Sequence, residues 1–146
     1  MIFSFLDDLK TQSNFDYSLD ISPYAKMMGF RLLGEDGKLT TLMAYHSDLI
    51  GSPFPPALHG GTVASLMEMS ALMQLVWAID HTKIQSIPKV IDTTVDYLRS
   101  GQPEDTFAKA RIFRQGRRFA TLHTQAWQSN VEKPIATAML HLQLTP

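Results

Sequence analysis

The sequence predicts an α+β domain, a curled antiparallel six-stranded sheet around one long central helix. Three observations carry this. Residues 61–80, GTVASLMEMSALMQLVWAID, make the one long helical run and are apolar nearly all round, as in a helix buried on most sides. Residues 89–98, 105–115, 118–128 and 134–144 read as strands, with Gly116 and Ser129-Asn130 as turns. One face of these strands carries Ala108, Ala110, Ala120, Ala126, Ala136 and Ala138, small enough to let a helix sit close.

The elements follow in order. Ile2, Phe3, Phe5, Leu6 and Leu9 share about one helical face, so the chain opens on a short helix or docked arm. The polar stretch TQSNFDYSLD reads as loop. Ser22-Pro23 opens a short helix that Gly29 stops. Gly34-Glu35-Asp36-Gly37 between two apolar runs is a hairpin signal, giving strands over 30–33 and 39–46. Pro53, Pro55 and Pro56 exclude helix and central strand from the loop over 47–58. The domain organisation expected is an arm over residues 1–28 packed on a single domain over 29–146. No internal repeat or low-complexity tract appears.

Composition excludes several classes. Thirteen Lys and Arg against fourteen Asp and Glu leave no basic surplus for a general nucleic-acid binder. The chain has no cysteine, hence no disulfide framework, thiolate metal site or catalytic thiol. Asp7 and Asp8 interrupt the start, unlike a secretory signal, and no long uncharged apolar run offers a membrane span. The expectation is a cytoplasmic protein with neither membrane nor nucleic-acid partners. His46, His81, His123 and His141 are scattered without ligand spacing, so no metal is expected. No nucleophile-elbow or phosphate-loop motif is present.

Two features carry chemistry. His59-Gly60-Gly61 opens the long helix, where the first N–H groups have no intrahelical partner and carry the positive end of the dipole. Glycines there expose the backbone to a ligand, and a carbonyl oxygen gaining charge in acyl transfer fits such a site. A plain glycine-rich turn before a packed helix explains the same residues. Glu68 lies inside the most apolar segment of the chain, between Met67 and Met69. A sheltered carboxylate costs free energy unless paired or functional, and suits work as a general base or nucleophile. The alternative is a structural acid bonded to a neighbour.

HGG with an acid seven residues after its second glycine, on an apolar helix, resembles the hot-dog-fold acyl-CoA thioesterases of the phenylacetate-pathway type. IDTTVDYLRSG resembles the strand after their helix, FRQGRRFATLHTQAW their next hairpin, and SPYAKMMGFRLL their first segment. The resemblance covers about residues 21–144. It implies that Gly60 polarises a thioester carbonyl through its N–H, that Glu68 acts as base or nucleophile, and that His59 orients the loop. It implies an acyl-CoA substrate and no cofactor, coenzyme A being part of the substrate. Two positions depart from the pattern. Many relatives carry Asn or Gln six residues before the histidine, where this chain has Pro53. Many carry Ser or Thr near the start of the next strand, at a position matching Val90, with Thr93 and Thr94 further along. Gln74 and Ser65 are the other polar candidates.

Gly60 and Glu68 are eight residues apart on one helix, roughly 12 Å at about 1.5 Å per residue. A base and an oxyanion donor must both come within about 3 Å of one reacting group. Two antiparallel helices from two subunits satisfy this, so a homodimer with composite sites is expected. Gly61, Arg99, Arg114, Arg117 and Lys89, with Arg118, are the candidate contacts to substrate, the cations for the coenzyme A phosphates; each also reads as ordinary surface charge. Phe107, Phe113, Phe119 and Trp127 fall opposite the alanine-rich face and need cover, from the N-terminal arm or from a second dimer in a tetramer. The rival functions are an acyl-thioester hydratase or dehydratase, for which His59 is a poor proton carrier, and a non-catalytic acyl-CoA-binding module.

Overall fold

The structure, a computed structural model, describes residues 2–146. The chain runs α1 (Phe5–Leu9), β1 (Asn14–Ser18), α2 (Pro23–Met28), β2 (Phe30–Glu35), β3 (Lys38–Met43), β4 (Ile50–Pro53), β5 (Pro56–Leu58), α3 (Gly60–Ala78), β6 (Lys89–Tyr97), β7 (Thr106–Gln115), β8 (Phe119–Trp127) and β9 (Ala136–Gln143). The main sheet is antiparallel, in the order β1-β2-β3-β7-β8-β9-β6. It has seven strands rather than six.

The extra strand is β1, in the stretch read as loop. Phe15 and Tyr17 alternate with Asn14, Asp16 and Ser18, so only two side chains reach the core side. Phe15 lies over Gly34 of β2, where a Cβ would come within 2.1 Å of its ring, and meets Trp77 of α3 at 5.8 Å between ring centroids. β4 and β5 form a second small sheet inside the proline-rich loop. It is a two-stranded ribbon outside the main sheet, where proline is tolerated.

Local signals explain the other boundaries. Ser22 caps α2 by accepting from Ala25 N–H at 3.1 Å, and Gly29 ends it in the left-handed region at φ 67°. The β2–β3 turn is Asp36-Gly37, both at positive φ, the geometry that matches strand twist in a two-residue hairpin.

α3 packs across β3, β7, β8, β9 and β6. The alanines expected to receive it are all buried, as are Leu122, Leu140 and Leu142 on the same face. Val63, Leu66, Met67, Ala71, Met73, Leu75 and Val76 bury the facing side of the helix. Gly61, Ala64, Ser65, Glu68 and Leu72, at positions i, i+3, i+4, i+7 and i+11, form a stripe that the chain leaves at least partly open. The helix is thus buried on most sides, not all.

The N-terminal arm closes the sheet on the helix side. Phe3, Leu6 and Leu9 enter the core, Phe5 stacks on Tyr17 at 4.7 Å, and Lys10 lies over the Trp77 ring. This corrects the idea that the arm shields the outer aromatics. Outside, Phe107 stacks on Trp127 and Phe113 on His123, while Phe113 and Phe119 stay 60% and 51% exposed. Phe113 sits at a bulge between Ile112 and Arg114, which departs from simple alternation.

β6 is the edge strand beyond β9 and is mostly exposed along its whole length. Ile91, Tyr97 and Leu98 are each at least half exposed there. A nine-residue edge with open backbone groups is the kind of strand that pairs with another chain.

Candidate active site

The site grows from the entry to α3. His59 is its N-cap, with an extended backbone, and its Nδ1 accepts a hydrogen bond from Gly61 N–H at 2.9 Å. A backbone N–H only donates, so this nitrogen carries the lone pair and the ring proton sits on Nε2. The fold-back needs glycine, because a Cβ at Gly61 would lie 2.8 Å from His59 Nδ1. His59 N–H bonds Leu49 O and Leu58 N–H bonds Gly101 O, which fixes the loop from behind.

This arrangement separates the two glycines. Gly61 N–H is taken up by His59. Gly60 N–H has no acceptor among the described residues. It is an open donor at the positive end of a nineteen-residue helix. Beside it lies a groove of about 330 Å³ lined in part by Ala57, Gly60, Val63, Tyr97, Arg99 and Ile135.

Glu68 lies two turns further along α3 on the open stripe, half-buried rather than fully buried. Its Oε1 accepts a hydrogen bond from Thr93 Oγ1 at 3.0 Å. The hydroxyl beside the acid therefore comes from Thr93, not from the Val90 position, and Thr94 is exposed on the other face. A bulge between Val90 and Asp92 shifts the register of β6 against β9 and leaves Val90 and Thr93 on the same face, opposite Leu142 and Leu140.

Sequence reading missed Tyr97 and Tyr24. Tyr97 OH donates to Gly60 O at 2.8 Å. Tyr24 OH donates to Ser65 Oγ at 2.9 Å, and Ser65 Oγ donates to Gly61 O at 2.8 Å. Ser65 is thus tied to the helix entry. Tyr97 lies in the DYLR segment, but nothing in a linear sequence places its hydroxyl on a helix 37 residues earlier.

The candidate cations do not gather in one place. Arg99 lines the groove beside Gly60. Lys89 sits at the other end of the sheet, in line with Gln143 and Phe119 by strand pairing, near the β7–β8 turn that carries Arg117 and Arg118. Arg117 lines a separate groove of about 580 Å³ with Ile79, Lys83 and Leu144. Arg114 is exposed on β7 opposite Thr121. Pro53 is exposed in the β4–β5 ribbon. No described helix is long and apolar enough to cross a membrane.

Comparison with known proteins bears on the family and the fold. The family model described as acyl-CoA thioesterase N-terminal domain matches residues 50–143. A crystal structure of a Chromobacterium violaceum protein is 34% identical, covers 98% of this chain and 96% of its own, and superposes with a TM-score of 0.72. A thioesterase from Pseudomonas aeruginosa, solved as a single-substitution mutant, is 22% identical over 97% of this chain and 92% of its own, with a TM-score of 0.73. A phenylacetic acid degradation-related protein from Ralstonia eutropha shares the fold at 18% identity, over 85% of this chain and 93% of its own, with a TM-score of 0.71. No curated protein matches the chain. One long helix packed against a large antiparallel sheet is the hot-dog thioesterase architecture, here with a seventh strand. The chain belongs to the acyl-CoA thioesterase family.

Proposed function

We propose that the protein hydrolyses an acyl-CoA thioester at a site shared by two copies of the chain, Glu68 of one copy working against Gly60 of the other. Water attacks the thioester carbonyl and Glu68 takes its proton. The oxyanion of the tetrahedral intermediate is held by Gly60 N–H. The C–S bond then breaks, the coenzyme leaves as thiolate and takes up a proton, and the acyl group departs as the free acid. Attack by Glu68 itself, giving a mixed anhydride that water opens, uses the same groups. Thr93 orients the carboxylate in either route.

The open Gly60 N–H carries the reading, since its neighbour Gly61 is already occupied. Assembly is supported by the open stripe and the unpaired edge of β6. If Gly60 faces Glu68 across a twofold axis, the midpoint of the two positions, Ala64, lies on that axis. Ala64, Ser65 and Gly61 are the small residues of the stripe, which allows two helices to approach closely there. The cations at the far end of the sheet and Arg99 beside Gly60 are the proposed phosphate contacts. The hydratase reading loses support because His59 Nδ1 is committed to Gly61. The binding-module reading loses part of its support because Thr93 supplies a hydroxyl at Glu68.

The test is release of free thiol from a panel of short, medium, long and aryl acyl-CoAs. Turnover of at least one class supports the proposal. Tight binding without thiol release from any of them overturns hydrolysis in favour of a binding module.

A further inference from the structure

The geometry points to Tyr97 as the residue that sets the direction of the Gly60 N–H, a positioning residue that acts only through Gly60. The inference rests on the thioesterase reading above and adds a second anchor to the proposed site.

Thr93 and Tyr97 are four residues apart on β6 and fall on the same face, the one turned toward α3. Four strand residues advance about 13 Å at roughly 3.3 Å each. Gly60 and Glu68 are about 12 Å apart along the helix. The two spacings match, so one strand meets the helix at both ends of the proposed machinery. Thr93 bonds the carboxylate and Tyr97 bonds the first helical residue.

The Tyr97 contact has two parts. Its hydroxyl donates to Gly60 O at 2.8 Å. Its ring occupies the side of Gly60 where a side chain would stand, 3.2 Å from the place of a Cβ. Glycine has the widest backbone freedom of any residue, and a donor on a free glycine wanders. The hydroxyl fixes the peptide after Gly60, and the ring limits rotation of the residue itself. His59 fastens the Gly61 N–H from the other side. The Gly60–Gly61 peptide is thus fixed at both its oxygen and its nitrogen, the Tyr97 ring stands against the Gly60 Cα, and the adjoining Gly60 N–H stays open. Tyr97 is 55% exposed, so core packing does not account for its place.

Tyr97→Phe removes the hydroxyl and keeps the ring; Tyr97→Leu removes both. For each, kcat and KM are measured on an acyl-CoA that the wild type hydrolyses. The affinity for an S-alkyl coenzyme A thioether, which has no carbonyl, is measured beside them, with melting temperature and sedimentation. A small misplacement at a reacting centre costs on the order of 10- to 100-fold in rate. The expected result is a fall of about 10-fold in kcat for Tyr97→Phe, with KM, thioether affinity, melting temperature and assembly unchanged, and a larger fall for Tyr97→Leu. Wild-type kcat in Tyr97→Phe, beside an inactive Glu68→Gln, overturns the positioning role alone. A fall in kcat matched by lost thioether affinity or lost assembly assigns Tyr97 a structural role and also overturns it. No thiol release by the wild type from any acyl-CoA removes the thioesterase reading, and this inference with it.

Discussion

Thr93 Oγ1 donates a hydrogen bond to Glu68 Oε1 at 3.0 Å, tying the edge strand of the sheet to the middle of the central helix. The bond joins a strand open to solvent to an acid on the open stripe of α3. Hydrogen bonds to charged groups are worth roughly 1.5–3 kcal/mol. Thr93→Val keeps the shape and removes the donor. Thiol release should fall by about 10- to 100-fold, at 1.4 kcal/mol per factor of ten, with the fold intact. A Thr93→Val protein with wild-type kcat and unchanged melting temperature would leave the bond without a role in turnover.

Glu68→Gln retains the size of the side chain and can still accept from Thr93, but it cannot take a proton from water. Hydrolysis should drop on the order of 10² or more, while circular dichroism and sedimentation match the wild type. Near-normal turnover in a preparation free of wild-type protein would exclude Glu68 as base and as nucleophile.

The seventh strand pairs with β2 along its length, and Phe15 seats on Gly34 at a close approach. Gly34→Ala would drive a methyl group into that ring and lift β1 from the sheet. Crowding of this kind typically costs about 1–3 kcal/mol. Urea unfolding should show a lower midpoint for Gly34→Ala, with Phe15→Ala lowering it as well. If the double variant is destabilised by the sum of the two single effects, Phe15 and Gly34 do not interact as described.

Much of this was legible because it rests on long or local patterns. The nineteen residues of α3 are too apolar to lie elsewhere than in a core, and Ser22-Pro23 with Gly29 brackets a helix by local chemistry alone. The strand β1 was hidden because it buries only Phe15 and Tyr17, and what makes room for Phe15 is a glycine on a different strand. The hydroxyl beside Glu68 was not legible because Val90 and Thr93 both fall on the inner face of β6 across the bulge, and only the packing of α3 shows which of them meets the acid. Gly60 and Glu68 were legible as candidates, one at a glycine-rich helix entry and the other as an acid inside an apolar run. The division of labour between Gly60 and Gly61 was not, since it depends on which way the His59 ring folds.

The outer aromatics lie on the sheet face away from α3, and the arm that might have shielded them is used on the inner side. A large aromatic left in water forgoes about 1.5–3 kcal/mol of burial. Wild-type protein should therefore sediment as a tetramer, two dimers packed by this face, and Trp127→Glu should sediment as a dimer. A dimeric wild type at micromolar concentration would remove the face-to-face pair. A tetrameric Trp127→Glu would place the interface elsewhere.

The shared site has a direct test in subunit exchange. Gly60→Pro deletes the open N–H at the first helical position, where backbone rules tolerate proline and His59 already has the extended backbone that a residue before proline requires, and its Cβ also presses on the Tyr97 ring, 3.2 Å away. Gly60→Pro and Glu68→Gln proteins are each expected to be inactive. After equimolar mixing and demonstrated exchange, half of the dimers should be mixed, each with one intact site of two, so activity should return to about a quarter of wild type. Exchange without any return of activity would place Glu68 and Gly60 of one chain in the same site and contradict catalysis across the pair.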